Sequence, residues 1–462
     1  MPRPLYFMVP FWGRRYREYF VDLCLPSLLA PNNLPLLRAE DGHRFLMATT
    51  REDWEAIEGL PIMERLRAHA TPTWLEIDSP TMVNGEAFAQ YNAIIRHQTL
   101  CYKKLIDAGY RDHAYGCLIF PDLLYSDGMV ATLLQCMEEG YHLVLCSSLR
   151  HKEEAVLEDL IERGLFSREE RFSLTAQELI IPPRVMASLF IRHLHPEMWI
   201  FEETEAHLAP PRAPFRYWRV PGDRGMIMHT VQGVPILMDF KAVPEGHTRC
   251  LERDLFEYVY IGENFGQDKR IRIIQDSDEF GIVSLTPTAV SWAPPLPQQE
   301  ASHSGWFQHY QRLCNIRESL WYYAGRNRDT LRRDLFRLSI RWHTGDLDDV
   351  WASEEQRIGR IIDDAVGDYY RVSRPPHEQR FPSKFSFDPR RLLLSSDTRV
   401  RLIDPWARRF HDVHTVIRVI GKRVGLALCG DKVALRWWGW RLRKLGAVVT
   451  RRPFQEPRPP VP

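Results

Sequence analysis

The segment Phe120-Pro121-Asp122-Leu-Leu-Tyr125-Ser126-Asp127-Gly128 holds the carboxylates best placed to do chemistry. Asp122 follows Tyr115-Gly-Cys-Leu-Ile-Phe120, a continuous apolar run of the kind a central parallel strand needs. A carboxylate just past such a strand faces the ligand crevice of an α/β sheet. Two carboxylates a few residues apart can share Mg2+ or Mn2+, and the cation can neutralise a diphosphate. The plainer alternative is a pair of turns, one capped by Asp122 and one formed by Asp127-Gly128.

A literal Asp-x-Asp comes later, at Asp276-Ser277-Asp278, after the strand-like run Ile271-Arg-Ile-Ile274. It competes for the role of metal or sugar site, against the alternative of a solvated acidic turn. Among the histidines, His193, His195 and His229 follow structured-looking segments, although most histidines serve packing or the surface.

The elements that must position these groups are legible as alternation. Leu5-Val9, Arg44-Ala48, Thr73-Ile77, Tyr115-Phe120 and Tyr141-Cys146 read as strands. Between them lie helical patterns: Tyr16 to Cys24, which Pro26 should end or kink, then Arg51 onward, Glu86 to Ala108, and Met129 to Glu139. Thr50 is a ready N-cap for the second, and Gly109 a natural stop for the third. Strand-helix alternation implies a mostly parallel, Rossmann-type sheet flanked by helices. Ligands sit at the carboxyl ends of such strands, which singles out Pro10, Phe11, Trp12, Gly13, Thr49, Asp53, Asp78 and Asp122 as donor-binding candidates.

This order of strands and helices, with an aspartate after the central strand, resembles the donor half of GT-A-fold glycosyltransferases over roughly the first third of the chain. In that superfamily a short acidic motif, often Asp-x-Asp, follows the central strand and binds metal and sugar nucleotide. Asp122 matches its first acid; position 124 is Leu, so the compact motif is absent there. The resemblance implies a metal site of Asp122 with Asp127 and His229, or a site with one acid or no metal. It also implies a nucleotide sugar as donor substrate and Mn2+ or Mg2+ as cofactor. An inverting transferase needs a carboxylate to deprotonate the acceptor hydroxyl. Asp239, Glu252 and Asp254 are candidates for that base, each with the alternative of a surface acid.

Several classes are excluded. There is no Gly-x-x-x-x-Gly-Lys-Ser/Thr, no Gly-x-Gly-x-x-Gly after the first strand, no Gly-x-Ser-x-Gly and no His-Glu-x-x-His. The eight cysteines contain no Cys-x-x-Cys pair, which disfavours a zinc ribbon and suggests reduced, buried thiols. Lys plus Arg number 61 against 60 for Asp plus Glu, so no global charge draws the chain to nucleic acid. No secretory h-region or membrane-spanning run is evident, and a cytoplasmic location is expected.

The remainder divides by pattern. Residues 1-150 form the donor-binding α/β unit and 151-290 complete the catalytic domain on the acceptor side. Helices are plausible at His151 to Glu162 and Thr175 to His193, with β-like runs Phe215-Val220, Gly225-His229 and Pro235-Met238. A proline-containing linker spans Trp292 to Ser304; 305-372 is helical, and 373-462 is an irregular tail. Within the tail, Leu435 to Leu445 alternates tryptophan with arginine and lysine, suited to the inner face of an anionic membrane. Packing of the tryptophans on the body is the alternative. The expected function is transfer of a sugar from a nucleotide sugar to a glycan, lipid-linked or protein acceptor at a membrane surface. The alternative is a non-catalytic, membrane-peripheral scaffold on a degenerate transferase fold.

Overall fold

The computed structural model describes residues 3-80, 87-167, 171-222, 224-253, 256-266, 269-290, 305-325 and 330-373. Asp254, the linker from 291 to 304 and the Leu435-Leu445 segment lie outside the described residues. Contacts group the chain into one unit from Met1 to Gly367 and another from Asp368 to Pro462.

The first unit is α/β. Its strands are β1 (Leu5–Pro10), β2 (Arg44–Thr49), β3 (Thr71–Glu76), β4 (Tyr115–Leu118), β5 (Leu123–Tyr125), β6 (Leu143–Cys146) and β7 (Arg150–Lys152). They continue as β8 (Phe215–Val220), β9 (Gly225–Thr230), β10 (Val234–Asp239), β11 (Ile271–Ile273), β12 (Ile282–Thr286) and β13 (Ile340–His343). A seven-stranded sheet runs in the order β11-β6-β10-β4-β1-β2-β3. Its strands are parallel except β10, which lies antiparallel between β4 and β6. Two three-stranded sheets accompany it, β5-β12-β7 and β13-β9-β8.

The period-two rule for strands places the core on both faces of the large sheet. In β1, Tyr6 and Met8 join the cluster containing Tyr102, Leu105 and Ile106 of the long helix Ala87–Arg111. Leu5, Phe7 and Val9 join the opposite cluster, with Phe20 and Ile57. All six β1 residues are buried, as a central parallel strand requires.

Gly109 does not end its helix. The helix runs on to Arg111, and a Cβ at Gly109 would sit 2.5 Å from Met8 and 2.6 Å from Phe240. The glycine is there for close packing against the sheet. Pro26 likewise does not stop the first helical stretch: Arg14–Tyr19 passes through a π-turn, Phe20–Cys24, into Leu25–Leu28. Pro26 sits in the first turn of that last segment, where its missing N–H costs little.

The expected helix from Thr175 to His193 is broken. A short turn, Phe172–Thr175, ends at Ala176 with φ 54°, and a new helix starts at Pro183 and ends at Arg192. In the region read as helical from 305, Ile340–His343 forms β13 and pairs antiparallel with β9. Its inward Ile340 and Trp342 alternate with Arg341, and Trp342 stacks on Phe190 at 3.5 Å. No helix among the described residues is long and apolar enough to cross a membrane.

Candidate functional site

In the order β3-β2-β1-β4 the chain moves outward from β1 in one direction and returns through the long helix to place β4 on the other side. The carboxyl ends of β1 and β4 therefore flank a topological switch point, where open α/β sheets take ligands. The residues at that rim are Pro10 to Gly13 after β1 and Ile119 to Asp122 after β4.

Asp122 lies in the turn between β4 and β5 and is half-buried. Ser284 Oγ donates to its Oδ2 at 3.4 Å, and the backbone N–H of Leu285 donates to its carbonyl at 2.8 Å. Both come from β12, the middle strand of the small sheet, whose Ser284 is in register with Leu123 on one side and Arg150 on the other. Desolvation raises the Asp122 carboxyl above its usual range, while the guanidiniums of Arg150 and Arg15 pull it back. Tyr16 shares the neighbourhood: its hydroxyl is pushed up chiefly by burial and secondarily by the Asp122 charge.

The two arginines are held from behind. Arg15 Nη2 pairs with Glu153 Oε2 at 3.0 Å and donates to the Tyr19 hydroxyl at 2.6 Å. The Tyr19 hydroxyl in turn meets the same Glu153 oxygen at 2.5 Å. Arg150 Nη1 pairs with Glu197 Oε2 at 2.9 Å. The carbonyl of Arg150 accepts from His195 N–H at 2.9 Å, and the buried His195 has no partner at Nε2 among the described residues.

The other rim residues divide into supports and wall. Phe11 is buried and stacks on Phe20 at 5.0 Å, so it belongs to the core rather than to a ligand. Pro10 ends buried β1. Asp53 is also a support: it accepts from Gly13 N–H at 2.7 Å, from Thr50 Oγ1 at 2.8 Å and from Arg17 Nη1 at 2.8 Å. Thr50 Oγ1 returns the contact by capping Asp53 N–H, as its sequence position led one to expect. Thr49 is buried, its carbonyl taken by Trp74 Nε1 and Ile77 N–H. Trp12 is half-buried and meets His97 edge-on at 4.8 Å. Exposed Asp78 stands beside His97, whose pKa burial lowers against the opposing pull of Asp78. Trp12, His97 and Asp78 thus offer a wall with an aromatic face and an acid.

The structure does not gather the expected metal ligands. Asp127 is separated from Asp122 by β5, about 10 Å of extended chain. Its carboxylate is taken by the backbone and side-chain nitrogens of Asn32 at 2.8 and 2.7 Å. His229 lies on β9 in another sheet, fully buried, with Nδ1 against the Phe336 carbonyl at 3.0 Å. Burial drives its pKa down to about 4. Asp122 meets the Ser284 hydroxyl and the Arg15 and Arg150 guanidiniums, and the Glu153 and Glu197 carboxylates behind them are already paired with those arginines. That donor set does not fit a protein-held divalent cation, which would face two positive charges and one acid.

Nor do the expected bases converge. Asp239 ends β10 opposite Tyr115, the first residue of β4, at the amino end of the parallel strands. It is buried in a fork with Arg3, one arm of which measures 2.9 Å. Glu252 is exposed, and its backbone carbonyl accepts from Arg96 at 2.6 Å.

The later acids do meet a histidine. One atom each of Asp276, Asp278 and His343 lie within 4.8 Å of one another, a spacing at which a cation could be shared. His343 Nε2 is 2.8 Å from Asp276 Oδ1, and its Nδ1 is 2.5 Å from the Gly345 carbonyl. The remaining acid valences meet arginines: Arg341 pairs with Asp276 at 3.2 Å and Arg184 with Asp278 at 3.1 Å. The ion pair with Asp276 raises the His343 pKa and lowers that of Asp276. The cluster is an ion-pair web joining the end of β11 to β13. His343 was not singled out from the sequence, because nothing near it hints at Asp276, 67 residues earlier.

No family model matches this chain. No curated protein matches it either. Among solved structures, one match is described as a glucose-1-phosphate thymidylyltransferase from Bacillus anthracis in complex with a sucrose. Identity is 13%, the alignment covers 32% of this chain and 57% of that chain, and the TM-score is 0.21. A likeness at that score carries no functional weight.

Proposed function

We propose that this protein transfers a sugar from a nucleotide-sugar donor to a hydroxyl of a glycan, lipid-linked or protein acceptor. The observation that carries the reading is Asp122: a half-buried carboxylate at the switch-point end of β4, with its proton affinity raised by desolvation. The absence of glycine-rich phosphate fingerprints at the first strand-helix junction directs the crevice toward sugar nucleotides rather than NAD or ATP.

In this reading Trp12, His97 and Asp78 line the nucleoside end, and Asp122 faces the sugar. The acceptor oxygen forms a bond to the anomeric carbon as the bond from that carbon to the diphosphate oxygen breaks. The electron pair leaves with the diphosphate, and the acceptor proton passes to Asp122. A carboxylate with raised proton affinity suits that role near neutral pH.

The test is release of free nucleotide from UDP-, GDP-, CMP- and dTDP-sugars by the purified full chain. One donor is expected to be consumed, with Asp122→Asn inactive. Consumption of none of the four by the wild type, or equal consumption by the variant, contradicts the assignment.

A further inference from the structure

We propose that Arg15 and Arg150 form the diphosphate-binding site of this crevice, in the place where a divalent cation would otherwise sit. The inference rests on the nucleotide-sugar reading above and goes further by naming the groups that take the leaving diphosphate.

Four observations carry it. First, the small sheet sets Arg150, Ser284 and the Asp122 turn side by side: Ser284 pairs in register with Arg150 and bonds Asp122. Arg15 reaches the same place from the helix that follows β1, one turn from the rim. Second, both guanidiniums are open to solvent, with side chains 49% and 31% exposed. Third, each is fixed by a single carboxylate through one nitrogen, Glu153 for Arg15 and Glu197 for Arg150. Nη1 of Arg15 and Nη2 of Arg150 have no hydrogen-bond acceptor among the described residues. Fourth, the other acids that reach this place, Glu153 and Glu197, are paired with the two arginines, which leaves Asp122 as the acid a divalent cation would meet among the described residues.

A guanidinium presents a planar fork of donors that matches phosphate oxygens, and two forks held by rigid partners meet a diphosphate at little ordering cost. In the transfer step the charge that develops on the departing diphosphate oxygen falls to these two groups. Glu153 and Glu197 orient the forks but also compete with the ligand for them. Removing either acid therefore has a sign opposite to that of removing an arginine.

The experiment is calorimetric titration of the full chain with UDP, GDP, CDP, dTDP and pyrophosphate, each in EDTA and again with Mn2+. Parallel titrations use Arg15→Gln, Arg150→Gln, Glu153→Gln and Glu197→Gln, with melting temperatures as the check on folding. One nucleoside diphosphate is expected to bind with an affinity that differs by less than about twofold between EDTA and Mn2+. Each arginine variant should weaken it about tenfold or more, the scale of one charge-assisted contact. The glutamine variants at 153 and 197 should bind as tightly as wild type or more tightly. These two keep the test alive if an arginine variant fails to fold, since a merely structural role for the ion pairs would make them bind more weakly. Binding that requires Mn2+, or that survives in both arginine variants, overturns the arginine assignment while leaving the nucleotide-sugar reading intact. Binding of none of the diphosphates under either condition overturns both.

Discussion

The backbone N–H of Gly13 donates to Asp53 Oδ2 at 2.7 Å, and this bond fastens the loop after β1 to the start of the helix after β2. Arg17 takes the other carboxylate oxygen, at 2.8 Å. Asp53 is 2% exposed, whereas Gly13 is exposed and the Arg17 side chain 19% exposed, so water offsets part of the loss of either bond. Asp53→Ala is expected to cost about 2 kcal/mol, the scale for losing hydrogen bonds to a charged group. Urea denaturation of the variant checks it. Because Gly13 sits at the crevice rim, ligand affinity should fall in the same variant.

Asp122→Asn separates chemistry from stability. Turnover should fall about 100-fold or more, as expected on loss of a general base. Thermal stability should hold or rise, because burial makes the ionised carboxylate costly. The sign follows from the raised pKa: the folded state binds the proton more tightly than the unfolded chain does. Stability from this group is therefore present below the usual carboxylate range and declines as pH rises through the raised value. In activity the order reverses, since the base must be ionised. The acid limb of kcat/KM should lie above about 3.9, the unperturbed Asp value, and should vanish in Asp122→Asn.

The Asp276–His343 pair predicts a different pH profile. The raised His343 pKa gives stability that is full below about 6.5 and is lost as pH climbs through the folded-state value. The lowered Asp276 pKa gives stability that is present above about 3.9 and is lost as pH falls through the folded-state value. The melting-temperature gap between wild type and Asp276→Asn should thus be widest between about pH 4 and 6.5 and shrink toward pH 9. A gap that grows with alkalinity would contradict the pairing.

Glu203 and Arg216 form an ion pair with both side chains fully buried, and Arg312 from the helix Gly305–Leu320 reaches the second Glu203 oxygen at 2.9 Å. Glu203→Gln should cost about 3-5 kcal/mol in chemical denaturation, because Arg216 is left charged without its counter-ion. Arg216→Met and Arg312→Met combined with Glu203→Leu should recover much of that loss, since the desolvation penalty of all three charges disappears.

The sequence carried the sheet further than the site. β1, β2, β9 and β10 are mainly apolar runs with clear ends, and their burial follows from local composition, whereas the full burial of Arg216 in β8 does not. The antiparallel insertion of β10 between β4 and β6 has no local signal. β13 has no strand signature of its own, because Arg341 interrupts an apolar pattern that also suits a helix, and only pairing with β9 decides it. Gly109 reads as a stop until the side chains of Met8 and Phe240 are seen against it. Asp122 was legible because a strand end is a local feature. Arg15, Arg150 and Ser284 were not, since three separate elements bring them to it. Asp127, His229 and Asp239 carry suitable chemistry but are committed elsewhere, to Asn32, the Phe336 carbonyl and Arg3.

The most direct test of the central claim is the melting temperature of wild type and of the Arg15→Gln, Arg150→Gln double variant with a panel of UDP-, GDP-, CMP- and dTDP-sugars. At about 100 times its Kd, a ligand for the folded state adds about 2.7 kcal/mol, or about 3 °C for a unit of this size. One nucleotide sugar is predicted to give that shift in wild type and little or none in the double arginine variant. No shift with any of them, or an equal shift in the variant, would contradict a sugar-nucleotide crevice beside Asp122.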